Sequence, residues 1–232
     1  MISLDVALDR LLHKPSVLAA FLARGPAALD VSPEDAAALA TIDTAELAST
    51  ARQILGSIFN SSQRGSGDLL ALYPRTFAAN AGTLEQLAAA FLESHAFDAY
   101  RDVPFAGAGC CSEEAFYRFA EERGLGEPAA REGEFLAAII KALVVCPDPD
   151  FIVPAEVQRA PGGRFAVATR AEPTLYAALG GRYVTGPITP FLAELLRAPD
   201  AAVEVARRHG VATEVLRASL EHLAGLGLIA GA

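Results

Sequence analysis

Cys110 and Cys111 stand side by side in GAGCCSEEAF, and in a chain with three cysteines they are the first place to look for chemistry. Adjacent thiols can close a strained vicinal disulfide or hold a soft metal. The sequence sets the pair at a glycine-rich approach to a helix capped by Ser112, where a helix N-terminus lowers a thiol pKa. The plainer reading is two small half-buried residues ahead of a helix. Cys146 stands apart, and neither count nor spacing is that of a disulfide framework or a zinc site. The four histidines, His13, His95, His209 and His222, come with no HxxE, HxxxH or carboxylate partner at ligand spacing, so no metal site is expected in this chain. Glu113-Glu114, Glu121-Glu122 and Asp148 with Asp150 read as solvated helix faces and loops. Nucleophile elbows, phosphate loops and dinucleotide fingerprints are missing. With no catalytic residue and no cofactor expected, the chain reads as a binding subunit.

The elements around these residues follow from composition and punctuation. Of 232 residues 48 are alanine, the best helix former, so a mostly helical protein is expected. The first element runs from Leu4 to His13 and Pro15 breaks it. Ser16 caps the next, Ser32-Pro33 opens a third, and Asp43 opens a helix through Phe59. NSSQRGSG, from Asn60 to Gly67, is loop by composition. Leu69, Leu70, Tyr73 and Phe77 recur at helical spacing around Pro74, and Thr83 with Gln86 makes a capping box. Helices over Glu113 to Arg123 and Glu134 to Val145 complete a helical domain, 1–146, with the second apolar almost all round and central. Aromatics gather in its second half, and Tyr73, Phe97, Tyr100 and Phe105 are the candidates for a surface covered by a permanent partner.

CPDPDFIVP holds three prolines in nine residues and reads as a linker, 147–154, ahead of a second domain, 155–232. Ala155 to Arg159 and Phe165 to Arg170 flank a Pro-Gly-Gly turn. In TLYAALGGRYVTG, Leu175 and Ala177 alternate with Tyr176 and Ala178, and Gly180-Gly181 reverses the chain into Arg182 to Thr185. Thr189-Pro190 caps a helix bearing Phe191, Leu192, Leu195 and Leu196. Asp200 caps a short one with Val203 and Ala206 inward, and a last helix from Thr213 buries Leu216, Leu220 and Leu223. The fold class is therefore α+β, mostly helical: a helical domain followed by a winged helix-turn-helix-like domain with a small antiparallel sheet of three or four strands.

Such a unit either sets its last helix in a DNA groove or leaves a strand edge open for an extended peptide. The last helix carries Glu214, Arg217, Glu221 and His222 in a chain of net charge -9, which disfavours phosphate and hence nucleic acid. A transcriptional regulator is the alternative reading. For a peptide, Arg182, Tyr183, Val184 and Thr185 would supply backbone pairing, and Val215, Arg217, Ser219 and His222 the groove wall. On this reading Val184→Pro removes an edge donor. No stretch is long and apolar enough for a membrane span, and Asp5 and Asp9 sit where a signal peptide wants cations, so a cytoplasmic protein is expected.

TLYAALGGRYVTG, PFLAELL and the terminal GLGLI together resemble the leader-peptide recognition element of ribosomally made peptide natural-product pathways. LLALYPRTFAANAGTLEQLAAAFLESHAFDAYRD resembles the partner proteins of multinuclear non-haem iron oxidases, such as the methanobactin biosynthesis partner. That resemblance implies a heterodimer with an iron oxidase subunit that holds the metal. It also implies a precursor peptide leader as ligand of this chain.

Overall fold

The computed structural model describes residues 1–60, 68–101, 110–149 and 151–230. It is α+β: mostly helical, with one four-stranded antiparallel sheet. Helices α1 (Leu4–His13), α2 (Pro15–Arg24), α3 (Pro33–Leu39) and α4 (Thr44–Ser57) gather around Ala7, Leu11, Phe21, Leu39 and Leu47. Next come α5 (Leu69–Leu72), α6 (Pro74–Ala78), α7 (Leu84–Leu92), α8 (His95–Arg101), α9 (Ser112–Glu122) and α10 (Pro128–Val145). Strands β1 (Gln158–Ala160), β2 (Gly163–Ala168), β3 (Thr174–Leu179) and β4 (Arg182–Pro187) precede α11 (Pro190–Arg197), α12 (Ala202–Arg208) and α13 (Thr213–Gly225).

Helix α10 is the centre that its apolar sequence predicts. It packs against α9 on one side and β2 and β3 on the other, burying Phe135, Leu136, Ile139, Ile140 and Leu143. The sheet meets it with small residues. Ala166, Ala168 and Ala178 face the α10 core, and their lack of bulk lets a helix lie close on the strands. Alternation sends Phe165, Val167, Leu175 and Ala177 to the opposite face, where Phe191, Leu195, Leu196, Val205, Leu216 and Leu223 cover them. Within 147–154, Phe151 is buried against the α10 core and Pro154 is buried too, while Pro147, Asp148 and Ile152 are exposed.

Helix starts follow the capping chemistry in part. Thr83 and Gln86 exchange both capping-box hydrogen bonds, and Ser32, Asp43 and Thr189 accept backbone N–H groups of their own first turns. Three expected caps differ. Helix α2 begins at Pro15 after Lys14, and the Ser16 N–H donates to Glu93 Oε1 at 2.7 Å, an acceptor 77 residues away that local sequence cannot reveal. Helix α9 takes Cys111, not Ser112, as its flanking residue. Asp200 lies in a short 3-10 turn, Pro199–Ala201, that rotates α12, so Val205 and Ala206 face inward and Val203 is 77% exposed. Residues 61–67 of the expected loop, Phe105 and Asp150 lie outside the described residues.

Candidate functional site

Gly180 and Gly181 have φ of +54° and +72°, the left-handed pair that a two-residue hairpin turn requires. Leu179 therefore sits opposite Arg182, and the register continues through Ala178 with Tyr183, Ala177 with Val184 and Tyr176 with Thr185. In such a hairpin the residues flanking the turn are a hydrogen-bonded pair, and bonded and non-bonded pairs then alternate. Two bonds at the ends of β3 fix the same parity. The Gly180 N–H donates toward β2 at Gly162 O, 3.2 Å, and the Ile188 N–H donates to Pro173 O at 2.8 Å. Arg182, Val184 and Gly186 thus turn their backbone groups into the ladder. Tyr183 and Thr185 turn theirs outward.

Outward means to an open side, because the strand order is β1-β2-β3-β4 and β4 is an edge. This corrects the role expected of Val184, whose N–H belongs to the β3 pairing; a proline there would break the hairpin rather than cap its edge. The parity was already available in the sequence by counting from Gly180-Gly181. Side chains alternate the other way. Tyr183 shares the α10 side with Tyr176, and Lys141 Nζ stands 5.4 Å from its ring centroid. Burial pushes the Tyr183 phenol up from its ordinary value, and a hydrogen bond with the Thr185 side chain opposes the shift. Val184 lies on the α11–α13 side, yet it is 44% exposed. The edge is accessible, with an apolar β-branched residue in it.

Helix α13 is anchored by buried Leu216 and Leu223, and just beyond its end Gly227 O accepts the Gly162 N–H at 2.8 Å. Of the groove-wall candidates, Val215, Arg217 and His222 are exposed and Ser219 is half-buried. Arg217 Nε lies 3.9 Å from Glu221 Oε1 on the same exposed face. The structure does not gather Arg217 and His222 around a focus, so they form a surface.

Elsewhere the expected chemistry recedes. Cys111 is 1% exposed, and burial, followed by the adjacent Glu113 charge, pushes its thiol up rather than down. A helix start cannot offset loss of water around the thiolate. Glu113 is fully buried where a solvated face was expected, with the Ser112 hydroxyl 3.1 Å from its Oε2. Two histidines do meet carboxylates on their own helices: His13 Nδ1 is 3.1 Å from Asp9 and His95 Nδ1 is 4.0 Å from Asp98. Among the described residues no group of three or more potential ligands could hold a metal. The docking surface expected at Tyr73, Phe97 and Tyr100 is not there, since these rings are interior. Tyr73 donates its hydroxyl to Glu113 O at 2.7 Å, and Phe97 packs edge-on to Phe91. Among the described residues, no helix is long and apolar enough to cross a membrane.

No family model matches the chain, and comparison with curated proteins and with solved structures finds no match either.

Proposed function

We propose that this protein is a peptide-binding accessory subunit that captures an extended segment by strand addition to β4. The observation that carries the reading is the open edge itself, where outward backbone groups at Tyr183 and Thr185 are accessible beside exposed Val184. Main-chain pairing gives such a complex its affinity, and side-chain pockets beside the strand give its selectivity. Under this reading the sheet with α11, α12 and α13 acts as a winged helix-turn-helix-like recognition element, with Val215, Arg217, Ser219 and His222 toward the peptide.

The ligand class that fits the resemblance is the leader of a ribosomally made precursor, and the partner is an iron-dependent oxidase whose metal modifies the core peptide. Holding the leader turns reaction at a remote residue into a nearly intramolecular event, with effective concentrations that reach the millimolar range, about 1 mM for short flexible tethers. The chain supplies position and the partner supplies chemistry. Its cellular setting under this reading is the cytoplasm.

The test is a titration of fluorescent peptides, made from the N-terminal segments of short reading frames next to the gene, against the full chain and its Thr185→Pro variant. Thr185 is the edge position whose N–H faces out, where proline is structurally tolerated. Binding that Thr185→Pro weakens about tenfold, as loss of one pairing site in a short strand predicts, supports the proposal. Equal binding by both folded proteins would remove it.

A further inference from the structure

Arg159 and Arg164 lie directly opposite each other in the β1–β2 register, an arrangement of like charges that disfavours pairing unless something offsets it. Among the described residues neither guanidinium has a hydrogen-bond or ion-pair partner. Five other arginines, Arg118, Arg170, Arg207, Arg208 and Arg217, are each set against a glutamate. Both unpaired arginines line one cavity of about 350 Å³. Its floor is apolar, from Leu143, Val144 and Ala178, and among the described residues Asp148 is its one acidic lining residue. Gly180 and Gly181, the turn that feeds β4, form part of its rim.

We propose that this cavity takes a carboxylate side chain of the captured peptide, so that the ligand is an extended segment with Asp or Glu just beyond its strand. This inference rests on strand addition at β4. Charge complementarity supplies the class: two free guanidiniums against one carboxylate, in a chain of net charge -9, is a local surplus of positive charge. The distances are compatible. Strands are spaced about 4.8 Å apart, so Arg164 on β2 lies three spacings, roughly 14 Å, from a strand added outside β4, which four to five extended residues span at about 3.3 Å each. A peptide paired with Tyr183 and continuing past the Gly180-Gly181 turn reaches the cavity about four to five residues later.

The test selects a phage-displayed random dodecapeptide library on the full chain, on Thr185→Pro and on the double variant Arg159→Gln, Arg164→Gln. A selected peptide is then synthesised with its carboxylates and with Asn or Gln in their place. The expected result is peptides that need Thr185, carry Asp or Glu toward one end, and lose about tenfold in affinity when either the carboxylates or both arginines are neutralised. Selection that needs Thr185 but shows no acidic preference overturns the cavity's role and leaves strand addition standing. No Thr185-dependent selection overturns both. The amide-for-carboxylate peptide comparison uses the unaltered chain, so it decides the matter even if the arginine variants fold poorly. Arginines that serve only the negative end of α10 would lower the melting temperature when replaced and leave that comparison flat.

Discussion

Val184 lies directly opposite Ala177 in the β3–β4 ladder, so its backbone groups point into the sheet while those of Thr185, one residue on, point out of it. Proline should therefore act very differently at the two positions. Val184→Pro removes an internal ladder bond and forces the hairpin open, costing about 2 to 3 kcal/mol, whereas Thr185→Pro loses only an outward N–H and a side-chain contact, about 1 kcal/mol. For a chain of this size that is a fall in melting temperature of about 4 to 12 °C against about 2 to 4 °C. Thermal unfolding followed by circular dichroism reads both, and equal losses would mean the parity is reversed.

Phe116 is the hub of the aromatic cluster, with ring centroids 4.7 Å from Phe77, 5.0 Å from Tyr73, 5.6 Å from Phe59 and 5.7 Å from Phe91. Truncation to alanine leaves a cavity that four rings cannot jointly fill, and the cost should be about 3 to 5 kcal/mol in chemical denaturation. A loss below about 1 kcal/mol would show that the cluster collapses freely around the gap.

The three thiols should differ in reactivity by exposure: Cys146 is exposed, Cys110 half-buried and Cys111 buried. Iodoacetamide at neutral pH should label Cys146 first and reach Cys111 only on unfolding, as mass spectrometry of timed digests would record. Early labelling of Cys111 would be incompatible with its buried position.

Cys111 also makes a pH prediction whose sign follows from its raised pKa. Below the ordinary thiol value of 9.0 both folded and unfolded chains keep the proton, so its contribution is intact. Above it the unfolded chain ionises while the buried thiol does not, and stability falls as pH rises toward the folded value. Urea midpoints measured at pH 8 and 10 should therefore drop more for the unaltered protein than for Cys111→Ala. Parallel drops would place the alkaline loss on other groups, such as the buried Tyr73 phenol.

Glu134 accepts the backbone N–H groups of Arg75 and Thr76, at 2.7 and 3.2 Å, and the Thr76 hydroxyl at 2.6 Å. It thus caps α6 from α10, across a gap of some 58 residues. Glu134→Ala leaves those donors unmatched and should cost about 1 to 2 kcal/mol, with Glu134→Gln restoring part of it. Hydrogen exchange at Arg75 and Thr76 should rise in the alanine variant; unchanged protection there would deny Glu134 the role of cap.

Local chemistry in the sequence determined much of this protein. Alanine content and capping boxes set the helices, the apolar run 134–145 marked α10 as central, and Gly180-Gly181 fixed the turn, the register and thereby the outward groups of β4. These are interactions within a few residues, and their physics travels with the sequence. What only the tertiary structure decided are contacts between distant segments. Glu93 stands at the start of α2, the 3-10 turn at Pro199 rotates Val203 out, and burial raises the Cys111 thiol that a helix start alone would lower. Tyr73, Phe97 and Tyr100 belong to the same lesson. An aromatic cluster in sequence is equally a core or a docking face, and it became a core because α7, α8, α9 and α10 close around it. The opposition of Arg159 and Arg164 needs the β1–β2 register as well as the residues, since like charges become neighbours only when two strands are laid side by side.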